Sequence, residues 1–437
     1  MQPERYYQPV SGRGLFMVGL ALWVAIIVLT GTYLRVREVE QSTQMDWLVA
    51  ARVAVCLAGG VIGLLLLGRG AGAGVGTTAL MAYLAAAASS AAFTAYRAVV
   101  VGYWLLLAGG VVLTVGLVVS AKPEQLHRME KTWLAVMVVL LLKDALIGVL
   151  APELQEAYGV EGPVRLGMGV THANALGFGA SIAFWLTFSL RGGGKSGALW
   201  LLRALLVTIV TLSWSRNAIV SLVVAGLVRT WFLQSHRAHE GYKVRWVVVS
   251  GTVALLVLVG LLLSFNVPGV VEAALAFNRT TSFEAIGRLS GRAEIWPLAV
   301  EKIFADPLTM LFGHGFGVSR LVLNDGRELL GFYAANAHNT LLEVALTTGL
   351  IGAVAYLAMV VVSLRWLCAY RRLDRFFGKG MAGRAATVVA IMMIHSVTES
   401  ILGTRLGPVT LLWAFYLVAL DREWRARRSL GWRGAYA

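Results

Sequence analysis

Apolar runs of about 18 to 22 residues recur along almost the whole chain, and each is long enough to cross a hydrocarbon core about 30 Å thick. Hydrophobic residues make up 58% of the sequence and charged residues 14%, whereas about a quarter of a soluble domain is charged. The sequence therefore predicts an all-α integral membrane protein and excludes a soluble globule.

The apolar windows predict about twelve transmembrane helices. The first run follows Arg5 and Arg13, as in a signal peptide, but Leu34-Arg35-Val36 offers no small-residue cleavage site. We interpret it as a retained anchor. The predicted spans are 15–34, 47–67, 75–95, 99–119, 133–150, 172–190, 197–214, 217–234, 246–265, 338–362, 382–400 and 405–421.

Basic residues orient these spans. The net charge is +15, but Lys and Arg occupy short stretches between apolar runs, as in 371–375 and the tail from Arg422. This pattern is typical of cytoplasmic loops, so both termini are predicted to be cytoplasmic and no nucleic-acid partner is expected. Three regions follow, namely helices one to nine (1–265), a periplasmic loop domain (266–337), and helices ten to twelve with a basic cytoplasmic tail (338–437).

The loop 266–337 is the candidate functional domain, because most other loops are much shorter. It contains an amphipathic, helix-like stretch, 294–304, which Asp306-Pro307 ends. It also contains a glycine-rich stretch, 313–317, without the strand context or the following acidic residue of a dinucleotide-binding fingerprint. We expect a partly helical loop in which 313–317 forms a backbone turn.

Arginines in and near this loop could hold an anion. Arg216 follows Ser215, a plausible helix cap, and a helix N-terminus with a guanidinium suits an anion. Arg288 and Arg292 lie four residues apart, on one face of a helix if the segment is helical, and Arg279 is near. The alternatives are an arginine that extends to lipid headgroups and a solvated surface with Glu partners.

His338 lies where the loop returns to the membrane, immediately before 339–343. Imidazole gains and loses a proton near neutral pH, so His338 is a candidate general base, although a helix-end histidine bonded to a carbonyl would look the same. His172 and Asn174 occupy an equivalent position before the sixth span, where they could line the same cavity or cap a helix. His314, inside the glycine turn, is a further candidate for lining the cavity.

Metal chemistry has little support. His395 and Glu399 lie four residues apart on the eleventh span, where pairing within the bundle is the simpler interpretation. The chain has no HExxH motif and no DxD-type carboxylate pair, and Cys56 and Cys368 lie in different settings. We expect no metal site, no cofactor and no redox chemistry.

Several motifs together resemble the bacterial O-antigen ligase and polymerase superfamily of membrane glycosyltransferases. The resemblance covers about 170–400, and the first five spans agree only in hydropathy. The motifs are 171–174, 213–216, Gly291-Arg292 with Trp296, 313–317, and 337–343 leading to Gly349 and Gly352.

The resemblance implies transfer of a glycan from undecaprenyl pyrophosphate to an acceptor hydroxyl, at the periplasmic face of the bacterial inner membrane. In the ligase the acceptor is a sugar of the lipid A–core. Arg216 and Arg292, helped by Arg288, would hold the pyrophosphate, and His338 would serve the acceptor. A base on the far side of the anomeric carbon predicts inversion there.

Two alternatives stay open. A polymerase that joins two lipid-linked repeats would share these motifs. A twelve-span transporter would share the hydropathy, but such carriers often join two six-span halves by a cytoplasmic linker, whereas here the longest loop follows span nine on the other face. The lack of a Trp-Trp-Asp motif and of a soluble C-terminal domain disfavours protein-glycosylating relatives.

Overall fold

The computed structural model describes residues 13–31, 47–68, 74–150, 172–188, 190, 197–213, 215–234, 292–324, 334, 336–377, 381–404 and 406–429. The described residues are helical and include no strand, so the predicted all-α class is confirmed. The helices are α1 (Arg13–Gly31), α2 (Trp47–Leu67), α3 (Val75–Ser89), α4 (Arg97–Ser120), α5 (Pro123–Leu150), α6 (Ala173–Thr187), α7 (Gly197–Leu212), α8 (Arg216–Gln234), α9 (Arg292–Ile303), α10 (Pro307–Phe312), α11 (Ser319–Asn324), α12 (Thr340–Phe377), α13 (Met381–Thr398) and α14 (Pro408–Ser429).

Several of these helices are long and apolar enough to cross a membrane. Six candidate spans are present within the described ranges: Gly14–Gly31, Trp47–Leu67, Val75–Ala92, Arg97–Ser120, Pro123–Leu150 and Thr340–Cys368. Shorter apolar helices cover Ala173–Thr187, Gly197–Leu212 and Gly383–Thr398. The chain is therefore a multi-pass membrane protein. The number twelve stays a prediction, and the predicted span 246–265 lies outside the described residues.

The chain divides into two compact units. Unit 1 contains Met1–Met137, Trp296–Trp366 and Ser396–Ala437, and unit 2 contains Val138–Ile295 and Leu367–His395. Helix α5 passes from the first unit into the second.

In unit 1, α14 supplies charged side chains to the ends of two neighbouring helices. The buried carboxylate of Asp421 lies beside the backbone N–H groups of Gly76 and Thr77 in the first turn of α3. The guanidinium of Arg422 donates to the carbonyls of Val118 and Ala121 at the end of α4. Each charge opposes the dipole of the helix end that it contacts, so α14 fixes α3 and α4 at this end.

At the other end of α3, the predicted glycine turn packs on a kink in α12, and the prediction of a backbone turn is confirmed. Gly349 has φ 67° and interrupts the helical geometry of α12. The N–H groups of His314 and Gly315 donate to the carbonyls of Leu346 (2.9 Å) and Thr347 (2.9 Å) just before the kink. A Cβ atom at Gly313 would lie 2.4 Å from the carbonyl carbon of Thr347. The turn and α12 can therefore approach this closely only because residue 313 is glycine.

In unit 2, α6 packs against α7 and α8. The indole of Trp185 donates to the Leu222 carbonyl (2.9 Å) and the hydroxyl of Ser181 to the Ala218 carbonyl (3.1 Å). On α13, buried His395 pairs with Ser221 at 2.9 Å and stacks on Phe178 at 4.1 Å.

Candidate functional site

His338 stands immediately before α12 in a backbone conformation that L-residues seldom adopt. Its φ of 48° is the one positive value at a non-glycine residue in the described ranges. Its N–H donates to the side-chain oxygen of Asn336 at 2.8 Å. Such a conformation costs about 1–3 kcal/mol and persists only where the surroundings impose it.

Neighbouring contacts impose this conformation. The carboxylate of Glu343, which is fully buried, accepts the N–H of Ala337 at 2.7 Å. The indole of Trp296 on α9 donates to the Ala337 carbonyl at 3.1 Å. Asn339 caps α12 by accepting the N–H of Leu342 at 3.0 Å. The backbone on both sides of His338 is therefore fixed.

The start of α12 is also bound to the end of α13. The amide of Asn339 donates to the Val397 carbonyl at 3.0 Å. The hydroxyl of Thr340 donates to the Glu399 carbonyl (2.8 Å) and accepts the N–H of Ile401 (3.0 Å). These bonds bring Glu399, which is 61 residues away in sequence, beside His338.

The imidazole faces that carboxylate. Nδ1 of His338 lies 3.2 Å from Oε2 of Glu399, and the side chains are 22% and 17% exposed, so neither is fully buried. Assigning the proton to Nδ1, so that the Glu399 carboxylate accepts it, leaves Nε2 as an acceptor. The arrangement suits a general base that a carboxylate orients.

Unit 2 brings two of the predicted arginines into electrostatic contact. Arg216 is the first residue of α8, and the hydroxyl of Ser215 accepts the N–H of Ala218 at 3.3 Å, so the predicted cap is confirmed. The half-buried Arg216 is partly removed from water and feels the positive charge of Arg292, the first residue of α9. Arg216 and Arg292 therefore lie near enough for their charges to influence each other.

The other predicted residues have diverse settings. His172 is exposed and caps α6, with Nδ1 accepting the N–H of Asn174 at 3.3 Å. His314 is half-buried, and its Nε2 lies 2.9 Å from the Lys302 carbonyl. A cavity lined by these three residues stays a prediction. Arg288 lies outside the described residues.

The sequence did not identify Glu399 as the partner of His338, because the predicted eleventh span, 382–400, placed Glu399 on one helix with His395, whereas α13 ends at Thr398. The sequence signal that could have identified this pair is weak: both Glu399 and His338 are polar residues next to helix ends. As for metals, no three His, Cys, Asp or Glu side chains cluster in the part of the chain that the structure describes.

Comparison with known proteins adds one finding. Residues 201–357 match the family model described as O-Antigen ligase. The matched segment extends from α7 into α12, so it includes Arg216, Arg292 and His338, while Glu399 lies beyond it. A search of curated proteins finds no match to the chain.

Proposed function

We propose that this chain, a member of the O-antigen ligase and polymerase superfamily, is the ligase of a lipopolysaccharide pathway. It transfers a glycan from undecaprenyl pyrophosphate to a sugar hydroxyl of the lipid A–core. The reaction takes place at the periplasmic face of the bacterial inner membrane, requires no metal or other cofactor, and inverts the anomeric centre.

The observation that carries this proposal is the pairing of His338 with Glu399 at 3.2 Å. Glycosyl transfer to a hydroxyl needs a group that takes the hydroxyl proton as the new bond forms. The imidazole Nε2 suits that role because Glu399 engages Nδ1. The backbone at His338 is left-handed and is held by Glu343 and Asn339. It therefore keeps the imidazole in position from one turnover to the next.

The proposed reaction is a single displacement. Nε2 of His338 takes the acceptor proton, the acceptor oxygen forms a bond to the anomeric carbon, and the bond from that carbon to the pyrophosphate oxygen breaks. Undecaprenyl pyrophosphate leaves with the bonding electrons, and Glu399 stabilises the imidazolium that forms.

Arg216 and Arg292 are proposed to bind the pyrophosphate, together with Arg288. A guanidinium binds phosphate through two parallel hydrogen bonds, which makes arginine suited to this role. Their charges would stabilise the negative charge that develops on the leaving group. The influence of the Arg292 charge on Arg216 supports this assignment, because it places both arginines in one electrostatic environment.

The experiment that tests this function offers two acceptors to the purified protein. Undecaprenyl-pyrophosphate-linked glycan is incubated either with lipid A–core or with a second lipid-linked repeat, and the products are separated by size. We expect glycan on the lipid A–core, with the anomeric configuration inverted. Extension of the lipid-linked repeat in place of this product would identify a polymerase, and no transfer by wild type, with both acceptors supplied, would contradict the proposal.

A further inference from the structure

Helix α12 is too long to be a simple span. The apolar segment Thr340–Cys368 contains 29 residues, which is about 43 Å of helix at 1.5 Å per residue, against about 30 Å of hydrocarbon core. The kink at Gly349 divides it into 340–348 and 349–368. The second part alone measures about 30 Å, so it can cross the core without the first.

The composition changes at the same residue. The first part contains the buried polar side chains of Glu343, Thr347 and Thr348. The second part, 349–368, has no charged residue before Arg365. Length and polarity therefore both place the kink near the membrane surface, with 340–348 extending beyond the core on the His338 side.

Helix α10 lies at the level of this kink. A Cβ atom at Gly349 would lie 2.2 Å from the Leu311 carbonyl oxygen, so the end of α10 touches the kink directly. The next residues donate hydrogen bonds to α12 just before the kink, as described above. The end of α9 is close too, because His314 contacts the carbonyl of Lys302. The segment 300–312, which we call the α9–α10 hairpin, is thus held at the membrane surface.

The α9–α10 hairpin exposes large apolar side chains. Phe304 is 59% exposed and Leu308 is 53% exposed, and Val300 and Leu311 are exposed as well. Exposed apolar side chains continue onto α12 at Leu350, Ile351 and Val354. Since the second part of α12 is a membrane span and α10 ends against its first residue, the exposed apolar side chains of the hairpin are attached next to a lipid-facing helix.

A charged residue limits how deep the hairpin can lie. Asp306 accepts the N–H groups of Leu308 (2.9 Å) and Thr309 (3.0 Å), and the hydroxyl of Thr309 donates to it as well (2.7 Å). The Thr309 hydroxyl bond first, and then the backbone bonds, hold the pKa of Asp306 below its usual range. A carboxylate that stays ionised belongs among headgroups and water, since a bare charge in hydrocarbon is costly.

We propose that the α9–α10 hairpin is an interfacial membrane anchor. It inserts Phe304, Leu308 and Leu311 into the phospholipid leaflet on the His338 side, and it keeps Asp306 among the headgroups. Amphipathic segments of this kind bury their apolar face about 5–10 Å into the headgroup–acyl boundary. Part of the loop predicted as a periplasmic domain is therefore bound to lipid. The anchor holds His338 beyond the hydrocarbon core, separated from it by 340–348.

Site-directed spin labelling in phospholipid nanodiscs tests the anchor. The full-length Cys368→Ser protein is the background, since Cys368 is exposed and Cys56 is buried. Labels are attached to Phe304→Cys and Leu308→Cys. Val354→Cys serves as the lipid-facing reference, because it is 67% exposed on the span, and Glu301→Cys is the polar control one turn from Phe304. Accessibility to oxygen and to a water-soluble nickel chelate is measured at each site.

We expect the oxygen-to-nickel accessibility ratio at 304 and 308 to exceed that at 301 several-fold and to approach that at 354. Equal ratios at 301, 304 and 308 would overturn the anchor and show a hairpin in water. Low accessibility to both reagents, with dipolar broadening at 304 and 308, would overturn it in favour of a second copy of the chain. If Phe304→Cys does not fold, Leu308→Cys and Leu311→Cys decide the question.

Discussion

Two histidines of this protein precede helices, and they use their imidazoles differently. His172 caps α6 itself, because its Nδ1 accepts the N–H of Asn174. At His338 the capping is done by the next residue, Asn339, and the imidazole faces Glu399. His172 has an ordinary φ of −58° and is exposed, whereas His338 has a φ of 48° and is about four-fifths buried.

The difference separates a structural histidine from one available for chemistry. A ring nitrogen that accepts a backbone N–H to cap a helix serves stability. When a neighbouring asparagine takes over the capping, the imidazole can face a carboxylate, as that of His338 does. Backbone strain such as that at His338 is often found at functional sites. The two histidines should therefore respond differently to the same substitution.

The largest effect is expected at His338. His338→Ala should lower turnover by about 10²–10⁴-fold, because a positioned base contributes that much, while donor binding stays largely intact. His172→Ala should keep most of the rate and lose about 1 kcal/mol of stability with the cap. Single-turnover rates and donor-binding titrations of both variants measure this contrast. Equal rate losses at the two positions would remove the distinction.

The second largest loss of rate is expected at Arg216 and Arg292. Arg216→Ala and Arg292→Ala should each lose about 10²–10³ in rate, as when a group that stabilises developing charge is removed. Lysine at either position should rescue poorly, since a point charge does not bind phosphate through two bonds. The control is Arg97→Ala, an exposed arginine whose guanidinium bonds the Ala92 carbonyl, and it should be mild. Similar losses in all three variants would indicate general destabilisation.

A smaller loss is expected at Glu399. A hydrogen bond to a charged group contributes about 1.5–3 kcal/mol, so Glu399→Gln should slow transfer by about 10- to 150-fold. Donor affinity should not change. A positioning role also predicts an altered pH profile, whereas a purely structural role would lower the amount of folded protein and leave the profile unchanged. Glu399→Asp should recover part of the rate.

Chelation should have the smallest effect. Because arginines are proposed to neutralise the pyrophosphate, transfer by the purified protein should continue at an unchanged rate in EDTA. Loss of activity in EDTA, with recovery after Mg²⁺ or Mn²⁺ is added, would show that a metal carries part of the charge that we assign to Arg216 and Arg292.

Sequence periodicity and local motifs predicted much of the local structure. Long apolar runs marked the helices, Ser215 was recognised as a cap, and 313–317 was recognised as a turn, because each depends on residues that are neighbours in sequence. The break before α10 at Asp306-Pro307 was predicted for the same reason.

The partner of His338 could not be predicted in this way. Asn339 and Glu343 follow His338 closely in sequence, but Asn339 caps α12 and Glu343 binds the Ala337 N–H. Glu399 reaches the imidazole only because Asn339 and Thr340 bind the end of α13. The kink at Gly349 was hidden as well, since Thr340–Cys368 as a whole is apolar enough to be one span, and the kink becomes visible only where α10 meets α12.

The pH dependence of glycan transfer tests the central claim most directly. If His338 is a base, the rate rises with pH, whereas if it is a cationic phosphate ligand, the rate falls. The single-turnover rate is measured with saturating donor over about pH 5 to 8, where imidazoles lose their proton. If His338 is the base, the wild-type rate rises with pH and the much slower His338→Ala rate does not show this rise. A wild-type rate that falls as the pH is raised, with weaker donor binding in His338→Ala, would contradict the account and make His338 a ligand of the pyrophosphate.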